Sequence, residues 1–259
     1  MSAVDYVERA EAYVAGVLDG SIPANRLARL ACERHVRDKE HAAGLAPTFY
    51  LDADSANHAC AFIERCPHVK GEWARRGELL TLSGWQAFII VSLFGWRWTA
   101  TNARRFNTAL VEVPRKNGKS ALCSPILLYM FALDGEAGPE VYSAATKAAQ
   151  ARIVFDSAKA MARKMPDFVR RAALKIEEHA IKVKNDDVSV IKPLEAKKLD
   201  GLYPHCSVID ELHEHPTAAV YDALDQARGA RDQSLLLAIT TAGDDLGGVC
   251  YAQHDYVER

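Results

Sequence analysis

The chain has no apolar run long enough to cross a bilayer. Its longest nearly uncharged stretch, Ala121 to Leu133, stops well short of the roughly 20 residues that a spanning helix needs. It has no excess of charge of either sign: the formal net charge is −2. Nothing therefore drives the whole molecule toward nucleic acid or anionic lipid, and any polyanion site must be a local patch. Met1 to Arg9 contain no apolar h-region, so no secretory leader is expected. A zinc spacing is missing too. His58, Cys60, Cys66 and His68 lie close in sequence but match neither C-x₂₋₄-C nor H-x₃₋₅-H pairs. Several of the six cysteines sit inside apolar runs, as buried reduced thiols do, so a cytosolic protein is expected. What remains is an ordinary globular composition, 49% apolar and 25% charged over 259 residues, ample for a sizeable core.

One stretch organises the rest. Leu110-Val111-Glu112-Val113 is an apolar run, Pro114-Arg115-Lys116-Asn117-Gly118 a polar turn, and Lys119-Ser120 opens an Ala/Leu/Ile-rich helix. Strand, loop and helix in this order form a phosphate cradle: backbone N–H groups and the positive end of the helix dipole face the anion. Lys119 would reach the β/γ-phosphates and the Ser120 hydroxyl would ligate Mg²⁺. The first glycine of G-x-x-x-x-G-K-S is absent, because Val113 stands in its place.

The rest of the chain supplies partners for that loop. Residues 1–60 read as helices, with Val4, Val7, Ala10, Val14 and Val17 at helical spacing and a stop at Gly20-Ser21-Ile22-Pro23. Trp85-Gln86 starts an apolar helix; the Gln86 amide either caps locally or offers a donor and an acceptor to an adenine edge. Val141 to Thr146 reads as a buried strand, followed by an amphipathic helix from about Lys147 to Met165. Between Lys159 and Lys184 there are eight basic residues against three acidic ones, either a solvated face or a polyanion patch. Val188 to Ile191 is a short strand, and Leu194 to Tyr203 a basic loop. Cys206 to Ile209 is an apolar run ending in Asp210-Glu211; two carboxylates at the end of a buried strand are costly without a cation or hydrogen-bonding partner. Asp210 would hold Mg²⁺ and Glu211 would polarise the attacking water. A third buried strand, Leu235 to Ile239, ends in Thr240-Thr241-Ala242-Gly243, placed to sense the γ-phosphate. Apolar strands with polar carboxyl ends, separated by amphipathic helices, predict an α/β fold with a mostly parallel sheet flanked by helices.

Taken together, Trp85-Gln86, Arg115 to Ser120, Ala144-Ala145-Thr146 with Gln150-Ala151, Ile209-Asp210-Glu211 and Thr240 to Gly243 resemble the ATPase domain of the large terminase subunit of tailed bacteriophages. That family carries a deviant Walker A motif without the leading glycine and with an arginine three positions before the conserved-type glycine, which Arg115 matches. The resemblance implies a P-loop NTPase of the additional-strand, catalytic-glutamate class, with room between Ser120 and Asp210 for an extra strand and its helix. It implies a helical lead-in at 1–60, an ATPase domain at 61–259, and a C-terminal nuclease domain that is expected in the full-length protein and absent here. The cofactors implied are ATP and Mg²⁺. By the same resemblance Glu211, Lys119 and Arg115 are catalytic, and Ser120 and Asp210 hold the metal. Trp85, Gln86, Arg115, Lys116, Asn117, Gly118, Lys119, Ser120, Thr240 and Thr241 bind nucleotide. The implied partners are double-stranded DNA, a portal protein and procapsid, the small terminase subunit and further copies in a ring, with no membrane. The implied location is the cytoplasm of an infected bacterium. An arginine supplied in trans is expected upstream of Asp210, where this chain has Lys197 and Lys198, so Arg228 and Arg231 are the substitutes to test. A helicase-like or recombination-type DNA-dependent ATPase would use the same site residues, and a non-catalytic nucleotide-binding module would leave the Asp210-Glu211 pair without a task.

Overall fold

The computed structural model of this chain describes residues 4–194, 199 and 201–258. They divide into two compact units, Met1–Arg65 with Thr81–Asn107, and Cys66–Leu80 with Thr108–Arg259. The lead-in read at 1–60 falls wholly within the first unit, which also takes in residues 81–107.

In the first unit, α1 (Tyr6–Asp19) begins where the Asp5 carboxylate accepts hydrogen bonds from the Val7 and Glu8 N–H groups, and stops at Gly20. It is followed by α2 (Arg26–Ala42), β1 (Phe49–Leu51) and α3 (Ala53–Arg65). The turn of helix α4 (Gly71–Arg75) belongs to the second unit. The first unit resumes with α5 (Gly84–Gly95) and β2 (Trp96–Trp98), the latter antiparallel to β1. Helix α5 is apolar nearly all round, and α1 and α3 both pack on it, which is why it is buried rather than amphipathic.

The second unit is built on a seven-stranded sheet in the order β3-β9-β8-β4-β7-β6-β5. Its strands are β3 (Thr108–Glu112), β4 (Glu140–Ala144), β5 (Leu174–Ile176), β6 (Ile181–Val183), β7 (Val190–Leu194), β8 (Pro204–Asp210) and β9 (Leu235–Thr240). From β3 across to β7 all pairings are parallel; β6 and β5 add an antiparallel margin. Helices α6 (Lys119–Ala132) and α7 (Ala148–Arg163) pack on one face. The opposite face is covered by α9 (Ala219–Ala227) and α10 (Val249–Glu258), and α8 (Pro166–Arg171) leads into β5. The two-residue period of a strand sorts β4 between these layers. The Ser143 hydroxyl bonds the Ala151 carbonyl of α7, while Tyr142 and Ala144 join Val220, Leu224 and Val249 in the opposite core. Every residue of β8 and β9 is buried, as the continuous apolar runs predict for central parallel strands.

The segment between Ser120 and Asp210 holds more than one strand with its helix: it contains β4 to β7, α7 and α8. Strands β5 and β6 have three residues each, too short to carry a period that sequence reading can detect. The strand that separates the loop strand β3 from the carboxylate strand β8 is β9, which comes after Asp210 in sequence. In the parallel register Glu112 lies beside Thr240, Ile239 beside Asp210 and Ile209 beside Ala144. Four strands thus end together, and the residues that follow them share one carboxyl edge, where ligands bind in such sheets.

Candidate active site

The loop after β3 is fixed from beneath. The Val113 N–H donates to the Thr240 carbonyl at 3.0 Å, so the chain leaves the sheet alongside β9. Two residues then take left-handed backbone, Lys116 at φ 68° and Gly118 at φ 77°. Glycine adopts this without a Cβ penalty; at Lys116 the same conformation costs about 1 kcal/mol, a strain that surrounding structure must hold. The Asn117 amide braces the turn by donating to the carbonyls of Pro114 at 3.2 Å and Arg115 at 3.4 Å. Arg115, Lys116 and Asn117 are exposed. Helix α6 starts at Lys119, so its first-turn N–H groups open onto the loop. Lys119 is buried; its Nζ lies 3.5 Å from the Val113 carbonyl and 3.6 Å from Glu211 Oε1. Ser120 follows, half-buried.

Opposite this loop, Asp210 ends β8 with only 6% of its surface exposed. Burial, and then the neighbouring Glu211 charge, push its carboxyl up to about 6, against the opposing pull of the Glu211 N–H and Lys119. Glu211 turns out of the strand at φ 51° into a 3-10 turn, Leu212–Glu214. Its Oε1 faces Lys119, whereas Oε2 is buried and accepts no hydrogen bond. A buried carboxyl whose charged form is disfavoured, beside an unsatisfied one, suits a divalent cation, which would relieve both. The donor set, carboxylate and hydroxyl oxygens at Asp210 and Ser120, suits Mg²⁺. Glu214 accepts from Gln150 Nε2 at 2.8 Å. That bond holds its carboxyl below the ordinary range, helped by the positive charges of Lys147 and Arg115.

Thr240 and Thr241 stand between these halves, and His213 joins them. The His213 N–H donates to Thr240 Oγ1 at 3.1 Å, and its ring Nδ1 lies 2.9 Å from the same oxygen. Sequence reading passed over His213. The signal available was its spacing, two residues past the Asp210-Glu211 pair, but its partners lie 27 residues further on.

The structure therefore brings Arg115 to Ser120, Asp210, Glu211, Thr240 and Thr241 to one sheet edge. Trp85 and Gln86 lie in the first unit. There Gln86 Oε1 accepts from the Ser83 N–H at 2.9 Å and the Ser83 hydroxyl at 3.0 Å, a capping box for α5. Lys197 and Lys198 lie outside the described residues. Both substitute arginines are engaged by groups of their own chain. Arg231 is buried, its guanidinium bonded to Glu136 and to the carbonyls of Tyr203, Ala137 and Gly138. Arg228 is held by Asp225 at 2.6 Å and by the Thr108 hydroxyl at 2.8 Å. Thr108 begins β3 and Arg231 precedes β9, so both arginines brace the amino edge of the sheet, away from the loop.

Comparison with known proteins identifies the relatives of this fold. The family model for the terminase large subunit, ATPase domain, matches residues 84–259. The large terminase subunit of Enterobacteria phage HK97 is 27% identical over 190 residues, covering 70% of this chain and 35% of the phage protein. Protein YmfN of Escherichia coli K12 is 54% identical over 52 residues, 20% of this chain and 11% of that protein. The crystal structure of the HK97 large terminase has the same fold, with a TM-score of 0.64 at 23% identity over 78% of this chain and 41% of that one. The chain thus spans well under half the length of these relatives. With the family model matching two-thirds of its length, it belongs to the terminase large-subunit ATPase family.

Proposed function

We propose that this chain hydrolyses ATP to drive double-stranded viral DNA into a procapsid, in the cytoplasm of an infected bacterium. The observation that carries the reading is the meeting of buried Lys119, buried Asp210 and Glu211 at the carboxyl edge of one sheet, beside the loop that opens α6. Lys119 and the exposed Arg115 bind the phosphates, and the loop from Lys116 to Gly118 wraps them. Ser120 and Asp210 hold Mg²⁺, which when bound neutralises charge on the phosphate oxygens. Glu211 accepts the proton of the attacking water. Trp85 and Gln86 contact the adenine; since Gln86 Oε1 is engaged by Ser83, its contribution is the amide N–H donor. Thr240 and Thr241 relay the state of the phosphates to the rest of the motor. Portal protein, procapsid, small terminase subunit and further copies in a ring are its partners.

Two variants test the chemistry. Lys119→Ala and Glu211→Gln, assayed for phosphate release with Mg²⁺ and ATP, are expected to lose at least about 100-fold in turnover, the scale for removing one charge-stabilising or proton-transferring group. Their far-ultraviolet circular dichroism should match the parent. Undiminished turnover in either folded variant overturns the assignment.

A further inference from the structure

The reading of the site leaves His213 without a role, although its backbone and ring lie against Thr240, Thr241 and Glu211. From these contacts we infer that His213 is a positioning residue, which aims the Glu211 carboxylate and ties it to the end of β9. The inference rests on the ATPase reading above.

The Thr240 hydroxyl has one proton and two acceptor lone pairs. The proton goes to the Thr241 carbonyl at 2.9 Å. One lone pair takes the His213 backbone N–H at 3.1 Å. The second lone pair faces the ring Nδ1 at 2.9 Å and the more distant Cys250 Sγ at 4.0 Å; the shorter contact assigns the hydrogen to Nδ1. That same N–H lies 3.4 Å from Glu211 Oε2, the carboxylate oxygen that is buried and accepts no hydrogen bond. Nδ1 has a single hydrogen, so the Glu211 oxygen meets it as the longer arm of a bond shared with Thr240. The ring itself has little freedom. The Thr241 hydroxyl lies 3.4 Å from both ring nitrogens. Behind it, a Cβ added at Gly243 would come within 2.8 Å of His213 Cβ, so only glycine leaves room for the histidine there.

The consequence is a chain of contacts with Thr240 at its centre. The Thr240 carbonyl takes the Val113 N–H, the first of the phosphate loop, and its hydroxyl takes His213. His213 in turn faces Glu211. Lys119 holds the other carboxylate oxygen of Glu211. When Lys119 turns to a phosphate, His213 is left as the donor that keeps Glu211 in line with the attacking water.

The test uses His213→Asn, His213→Gln and His213→Ala in the full chain, beside wild type and Glu211→Gln. Asparagine places an amide donor where Nδ1 sits; glutamine places it about one atom further out, where Nε2 sits. Turnover at saturating ATP should fall about 100-fold in the alanine and glutamine variants, the scale for a catalytic group displaced by about 1 Å. The asparagine variant should recover most of the rate. The KM for ATP and the affinity for a fluorescent ATP analogue should stay within about threefold of wild type in all three, because ground-state binding is untouched. Alanine at wild-type rate, or asparagine no better than alanine with nucleotide binding lost throughout, overturns the positioning role. A wild-type chain without turnover, or Glu211→Gln at full rate, overturns the ATPase reading and this inference with it.

Discussion

At the scale of single residues, Asp210 makes a prediction whose sign is set by its environment. Its carboxyl sits at about 6 in the folded chain, against 3.8 for the ordinary group. Between those values the folded state holds a proton that the unfolded state has released. Stability of the ligand-free protein should therefore be highest below about pH 4 as far as this group is concerned, and fall as pH rises to 6, by about 3 kcal/mol for a shift of this size. Above pH 6 the buried charge is present and a divalent cation offsets its cost. Mg²⁺ with nucleotide should accordingly raise the unfolding temperature strongly at pH 7.5 and weakly at pH 5, since at pH 5 the proton competes for the carboxylate. Asp210→Asn should be more stable than wild type at pH 7.5 without Mg²⁺, and should lose the Mg²⁺ effect. Thermal melts at the two pH values, with and without the cation, check this; a difference between wild type and Asp210→Asn that does not change with pH would sink it.

At the scale of elements, the strands that carry the site were legible, and the reason is burial. β4, β8 and β9 lie in the middle of the sheet, covered on both faces, so they appear as mostly apolar runs, with only small or singly placed polar residues such as Ser143 and Ser207 inside them. β5 and β6 lie at the margin and have three residues each, which leaves no pattern to read. Asp210-Glu211 and Gly118-Lys119-Ser120 could be recognised because each is contiguous. His213 could not, since its meaning depends on Thr240 and Gly243 arriving from another strand. Arg231 was open to misreading for the converse reason: identity and position suit a mobile arginine, while only the fold shows it buried. Arg231, His205, Asp134 and Glu136 form a polar cluster at the amino edge of the sheet, with His205 Nε2 2.9 Å from Asp134 Oδ2. Truncating Arg231 to methionine leaves Glu136 and three carbonyls without their donor. The expected cost is about 3–5 kcal/mol of stability, the range for breaking a buried ion pair. ATP turnover per folded molecule should be unchanged, whereas loss of an arginine acting on a neighbour's phosphates would lower it by about 10³-fold. Urea unfolding and turnover measured on the same preparation separate the two roles.

At the scale of the whole molecule, a net charge of −2 requires that any contact with DNA be made by a local concentration of cations. The stretch from Lys159 to Lys184 is the candidate, and the structure halves its effective charge. Lys159 is paired with Asp156 at 2.8 Å, Arg170 with Asp167 at 2.8 Å, and Lys175 and Lys182 share Glu177 at 2.8 and 3.2 Å. Arg163, Lys164, Arg171 and Lys184 remain exposed around the end of α7, α8 and β6, Lys164 bonded only to the neutral His68 carbonyl among its described contacts. Arg163 and Lys184, with Arg170, rim a cleft of about 450 Å³ floored by Pro166, Val169 and Ile176. A cation already paired with a carboxylate releases no counterion when it meets a phosphate, so these two groups of residues should differ in their salt response. Each phosphate neutralised adds about 0.9 to the slope of log K against log salt. Reversing Arg163 and Arg171 together to glutamate should flatten the slope for double-stranded DNA by about 2 units on that scale. Reversing Lys175 and Lys182, half of whose charge Glu177 already cancels, should flatten it by less. Binding measured by fluorescence anisotropy from 50 to 200 mM salt, a range over which a few phosphate contacts change affinity by about tenfold or more, decides between them. Equal slopes for both double variants would mean that the pairing seen here does not survive contact with DNA; an unchanged slope for Arg163 and Arg171 would place the DNA on another face of the sheet.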